Sequence, residues 1–143
     1  MEGRQQCLPY FCSKSYTLKF AFKFVPGVIW LGITFWLFTL PGSKIPDIDL
    51  FHQLQVDKIV HIFLFVVLCL SFMFPFKNVH YSTQIKRIIF FVLITLFIGY
   101  GIVIEFIQRD YIANRSFDIG DIIADSIGCL AALLFAVKYW LKN

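Results

Sequence analysis

Between Ile104 and Gly128 the chain sets Glu105, Gln108, Arg109, Asp110, Arg115, Asp118, Asp121 and Asp125 between two apolar runs. Side chains of these types in such density pair with one another, cap a helix, or hold a ligand. On a helix, Asp118, Asp121, Asp125 and Gly128 fall at i, i+3, i+7 and i+10, within an arc of about 80°. Three carboxyl groups then stack at one end of a single face. Gly128 and Ala132 continue that face as small residues, which let a second helix approach closely. Asp118 alone reads as a helix N-cap. Asp125 lies nearly two turns farther in, where capping explains nothing, and a carboxyl there needs a partner or a function.

Two further groups belong with these. Gly101, Glu105 and Gln108 share a face by i, i+4, i+7, so Glu105 points where Gly101 admits a neighbour. It reads as a site residue, or as one half of a buried ion pair with Lys58 or Arg115. Asp57, Lys58 and His61 open another apolar run. Asp57 at i, i+4 from His61 suits an acid that sets the tautomer of a histidine. The bland alternative has Asp57 capping, Lys58 snorkelling and His61 packing among headgroups. Together His61, Glu105, Asp121 and Asp125 form an oxygen-rich set suited to magnesium, calcium or manganese. No HExxH, no nucleophile elbow and no second His at ligand spacing accompanies them. Ser116 and Ser126 are hydroxyls without a recognisable base beside them.

The elements that position these residues are greasy. Of 143 residues, 59% are hydrophobic and 15% charged, with 18 Phe, and the mean hydropathy is +0.75. A soluble domain would be nearer 45–50% apolar, roughly, and about 25% charged. This composition predicts an all-α integral membrane bundle of four transmembrane helices. A basic N-terminal segment, residues 1–23, precedes a membrane domain over residues 24–143. The spans are predicted at 24–40, closed by Pro41-Gly42, at 59–76, at 88–107 and at 118–141. Pro26 falls in the first turn of the first span, where its missing N–H costs little. Bulky Leu40, where signal peptidase needs a small residue, argues for an uncleaved helix. The loop 42–56 carries Lys44, Asp47, Asp49 and His52. Cys69 and Cys129 sit inside apolar runs as packing residues, and Cys7 and Cys12 lack metal spacing.

Alternate loops assign the sides. Nine of the 13 Lys and Arg fall on one side: Arg4, Lys14, Lys19, Lys23, Lys77, Lys86, Arg87, Lys138 and Lys142. Lys44, Lys58, Arg109 and Arg115 fall on the other. The positive-inside rule then makes both termini cytoplasmic. Eight of the nine acids lie on the outer side. Carboxylates carry little weight in topology, so that bias calls for another reason. The starts of spans two and four and the end of span three share the outer level. A polar pocket there, built from Asp57, Lys58, His61, Glu105, Gln108, Arg115, Asp118, Asp121 and Asp125, is the expectation. The dispersed cations form no basic face, which speaks against nucleic acid as a partner.

These motifs resemble the VanZ-like family of membrane proteins. They are Asp57-Lys58-x-x-His61 opening a span, Glu105-Phe-Ile-Gln108 closing one, and Arg115-x-Phe-Asp118-x-x-Asp121-x-x-Ala-Asp125-x-x-Gly128 opening the next. The Leu-Pro-Gly-Ser-Lys-Ile-Pro segment fits its small members. The chain departs at Asp125, where the family usually has Asn. The resemblance implies a multi-pass protein of the bacterial cytoplasmic membrane, in a context of teicoplanin-type glycopeptide tolerance. Expected partners are membrane lipids, and a lipid-linked envelope precursor or a glycopeptide. Self-association into a homo-oligomer is compatible with so small a bundle. No cofactor is evident beyond the divalent cation considered above. Two functions compete: binding of a headgroup or envelope precursor, and metal-dependent hydrolysis or transfer on a lipid-linked substrate. Transport ranks below both, since four short helices are few and no inverted repeat is visible.

Overall fold

A computed structural model describes residues 20–41, 56–113 and 115–141. The loop residues Lys44, Asp47, Asp49 and His52, the cysteines Cys7 and Cys12, and Lys142 lie outside the described residues. Four helices carry the fold: α1 (Val25–Phe38), α2 (Val56–Met73), α3 (Thr83–Tyr111) and α4 (Ile119–Trp140). A 3₁₀ turn, Phe74–Phe76, ends α2 at Pro75. With the helical residues before α1, all four stretches are long and apolar enough to cross a membrane. Among the described residues there is no strand. The chain is thus an all-α membrane bundle, as its composition predicts.

The boundaries differ from the apolar runs in an instructive way. α3 begins five residues before its run, at Thr83, because Ser82 caps it by accepting the Ile85 N–H at 3.3 Å. It also continues through Arg109 to Tyr111. At 1.5 Å per residue its 29 residues span roughly 43 Å, against a hydrocarbon core of about 30 Å. The polar first turn and the Gln108–Tyr111 end therefore reach the interfaces while remaining helical. α2 likewise starts at Val56, so Asp57 and Lys58 lie inside its first turn.

The packing centres on α2 and α4, which make the most extensive contact in the bundle. Small residues on α4 allow it. A Cβ on Gly128 would stand 2.6 Å from the Ile62 carbonyl oxygen and 2.9 Å from the Phe65 Cβ. Below it Cys129, Ala132 and Ala136 are fully buried. The Cys69 and Cys129 sulfurs lie 3.5 Å apart there, as packing residues. α1 lies on the periphery: only 11% of its apolar span is buried, against 33–39% for the others. It docks on α2 through Gly27 against Phe72, and the Trp30 indole N–H donates to the Leu64 carbonyl at 3.0 Å. Leu134, Phe91, Ile88 and Leu96 are among the large apolar side chains that face outward, where lipid replaces water. Hydroxyls within the spans are satisfied locally. Ser71 donates to Val67 O at 2.7 Å and Thr95 to Phe91 O at 3.0 Å, as the absence of water requires.

Gly128 gives a direct test. Alanine at any mid-helix glycine gains the same helix propensity, about 1 kcal/mol. A methyl group on Gly99 would meet nothing within 4 Å, whereas one on Gly128 would meet backbone. Thermal unfolding in detergent is expected to show Gly128→Ala less stable than Gly99→Ala by roughly 1–3 kcal/mol.

Candidate functional site

The N-terminal turns of α2 and α4 and the last turns of α3 and α1 meet at one end of the bundle, and the polar residues meet there with them. His61 and Asp125 form the innermost pair. Both are about 3% exposed or less, and the His61 Nδ1 lies 2.9 Å from Asp125 Oδ1. A carboxylate can only accept, so Nδ1 carries the hydrogen and donates it. In the neutral ring Nε2 is then the free nitrogen, and in the protonated ring it is a second N–H donor. It faces Asp121 Oδ2 at 3.8 Å, beyond hydrogen-bond distance. Phe38, from the end of α1, stacks over the imidazole with centroids 4.6 Å apart.

Two glycines make this pairing possible. Gly128 brings α4 onto α2, which carries Asp125 to His61. Gly101 brings α3 against the same carboxyl: a Cβ there would stand 2.6 Å from Asp125 Oδ2. Asp125, rather than Asp57, is therefore the acid that sets the His61 tautomer. The i, i+4 spacing of Asp57 and His61 places them side by side without a hydrogen bond between them.

Lys58 ties the outer layer. Its ammonium donates to Asp118 Oδ2 at 2.8 Å and to Asp121 Oδ1 at 3.1 Å. Asp118 is the N-cap of α4, and its other oxygen accepts the Gly120 N–H at 2.7 Å. It thus caps the helix and pairs with Lys58 at once. The Lys58 ammonium, and then the Gly120 N–H, hold the Asp118 carboxyl below the usual carboxylate range. Asp57 is exposed at the rim.

Glu105 and Gln108 serve the chain joining the helices. Glu105 is buried and accepts the backbone N–H of Asp118, which clamps the start of α4 to α3. Its partner is neither Lys58 nor Arg115, the two cations that the ion-pair alternative offered. Gln108 donates to the Phe38 carbonyl at 2.8 Å, which anchors the C-terminal end of α1. Arg115 is half-buried, and its Nε has no hydrogen-bond partner among the described residues. Arg109 and Asp110 pair with each other at 2.7 Å on the exposed face, away from the cluster. Ser126 donates to the Ile122 carbonyl at 2.8 Å.

The cluster thus sets the carboxyl groups of Asp57, Glu105, Asp118, Asp121 and Asp125 against one ammonium and one imidazole. Two open grooves, of about 410 and 350 Å³, lie at the other end of the bundle, against Arg87 and Leu133 and against Lys23 and Trp140. The ligand atoms that converge most closely belong to Asp57, His61 and Asp121, all within 4.8 Å of one another. The sequence pattern points instead to His61, Glu105, Asp121 and Asp125. Glu105 and Asp125 are engaged with the Asp118 N–H and with Nδ1. Sequence reasoning missed Phe38 because one Phe among 18 carries no signal.

Asp118 gives a pH dependence with a definite sign. Its folded value is depressed, so its contribution is present above the unfolded value of about 3.9 and is lost as pH falls through the folded value. Wild-type protein in detergent is expected to lose this stability only below about pH 4, and Asp118→Asn to lack that part of the acid-side drop. Asn still caps, whereas Asp118→Ala removes cap and ion pair and should cost about 1 kcal/mol at neutral pH. A pH series of melting temperatures for the three proteins measures this. No protein-family model, no curated protein and no solved structure matches the chain.

Proposed function

We propose that the polar cluster is a binding site at the extracytoplasmic face of a bacterial cytoplasmic membrane. It takes the polar head of a membrane amphiphile or a lipid-linked envelope precursor. The protein then acts in cell-envelope processes, of the kind that include tolerance of teicoplanin-type glycopeptides. The resemblance of its motifs to the VanZ-like family supports that context. What carries the reading is His61: a buried histidine held from behind by Asp125, with its free nitrogen turned towards Asp121 and the rim. Groups needed only to join helices would be spent on the joints, as Glu105 is on the Asp118 N–H and Gln108 on the Phe38 carbonyl. Intramembrane ionisable groups that stay unspent mark ligand or ion positions. The excess of carboxyl groups asks for positive charge in the occupant, as in an amine-bearing headgroup or a phosphate with a bridging divalent cation. Lys58 has a side chain 28% exposed and is the partner that an entering headgroup displaces or joins.

A second reading is favoured by the same nitrogen. His61 Nε2, with Asp121 and Asp57 beside it, is an arrangement that a metal-dependent hydrolase or transferase acting on a lipid-linked substrate would use. In such an enzyme the cation supplies Lewis-acid polarisation or a more acidic water. The binding reading ranks first because the hydroxyl of Ser126 is engaged elsewhere and no second histidine joins the cluster among the described residues.

The test is lipid retention. Protein extracted from bacterial membranes into native nanodiscs is expected to carry a headgroup class enriched over bulk lipid. His61→Ala and Asp57→Asn should lose the enrichment while expressing normally. Equal lipid profiles for wild type and both variants would remove the reading. Orientation is checked separately: reporter fusions at either terminus should be active only in their cytoplasmic form.

A further inference from the structure

Three side chains with metal-ligand chemistry converge across the inner and outer layers of the cluster. This inference rests on the reading of the cluster as a ligand site. We infer that Asp57, His61 through Nε2 and Asp121 through Oδ2 bind one divalent transition cation. Asp125 acts behind them as a positioning residue.

Four observations converge on those three side chains. Their ligand atoms lie within 4.8 Å of one another, and the His61–Asp121 pair stands at 3.8 Å. Ligands about 2.1 Å from a common ion stand roughly 3–4 Å apart, so only a small closure is needed. Asp57 is the exposed member and can make it by rotating its side chain. Next, His61 is 2% exposed, and among the described residues its Nε2 has no hydrogen-bond partner. With Nδ1–H given to Asp125, the neutral ring presents a lone pair on Nε2 that an ion can take. Third, Nδ1–H is committed to Asp125. Metal-binding histidines almost always donate their other N–H to a carboxylate or carbonyl, which fixes the ring and raises its basicity. Finally, the two Asp121 oxygens are divided: Oδ1 accepts from Lys58 at 3.1 Å, and Oδ2 remains for the ion.

The ligand chemistry narrows the metal. One imidazole nitrogen with two carboxylates suits manganese or zinc better than magnesium or calcium, which favour all-oxygen sets. The division of labour also explains how an Asn in place of Asp125 could serve. Its carbonyl oxygen would also accept the Nδ1–H, more weakly than a carboxylate, and the ring would keep its orientation.

Manganese titration of the purified full-length protein in mild detergent, read by the loss of the free-ion electron paramagnetic resonance signal, tests the assignment. The expected result is one Mn²⁺ per wild-type chain, displaced by Zn²⁺. Asp57→Asn alters an exposed side chain and should fold, and it is expected to bind at least about tenfold more weakly. Asp125→Ala should weaken binding by about 10–100-fold, whereas Asp125→Asn should stay within about threefold of wild type. A purely structural role for Asp125 would not separate those two variants by metal affinity. Absence of saturable binding in folded wild type, or unchanged binding in Asp57→Asn, overturns the site. If the wild type binds no metal yet His61→Ala still loses its enriched lipid, this inference fails and the headgroup reading stands.

Discussion

Inside a bilayer no water is available to satisfy a stray polar group, so each one must find its partner in the protein. The His61–Asp125 hydrogen bond at 2.9 Å is where that constraint bears hardest on this chain. Neither residue is tolerable alone among hydrocarbon. Bringing them together requires α4 to lie against α2 closely enough that Gly128 touches the Ile62 carbonyl, and α3 to lie against Asp125 at Gly101. Helix spacing, the placement of small residues and the location of the cluster all follow from one pairing.

The joints at the same end obey the same rule. The start of α4 has orphan N–H groups, as any helix start does. Gly120 gives its N–H to Asp118, and the N–H of Asp118 itself goes to Glu105. The end of α1 has orphan carbonyls, and Gln108 takes the one on Phe38. Side chains from α3 therefore close the ends of two other helices. The opposite end is built differently. Its described cations, Lys23, Lys77, Lys86, Arg87 and Lys138, have no carboxylate partner among the described residues. Lys77 and Lys138 instead lie over the rings of Trp140 and Tyr139. Cations without acids suit an interface facing anionic headgroups, whereas acids in excess suit a site that takes positive charge.

Structural and ligand-binding roles can be separated residue by residue. Glu105, Gln108 and Asp118 have hydrogen bonds committed to backbone and belong to the scaffold. Lys58 bridges scaffold and cluster, since it holds both Asp118 and Asp121. His61, Asp121 and Asp57 keep unsatisfied capacity, and the proposed ligand and metal roles rest on it. The proposed metal position lies at the boundary between the two groups.

The residue pattern alone determined the class of the protein, because long apolar runs separated by charged turns have one economical solvent, a bilayer. It also determined which residues share an end of the bundle, since helical spacing and alternate loops place them at one level. It marked Asp125 as needing a partner, because no cap explains a carboxyl two turns inside a helix. Which side chain meets which was decided only by tertiary structure. Spacing along α2 offered Asp57 as the partner of His61, but the contact of α4 with α2 supplied Asp125 instead. Glu105 had two cations within reach in sequence terms, and the fold gave it a backbone N–H. Such choices turn on an ångström of helix approach and on rotation about each axis. Those are set by packing between segments far apart in the chain, which no local pattern encodes.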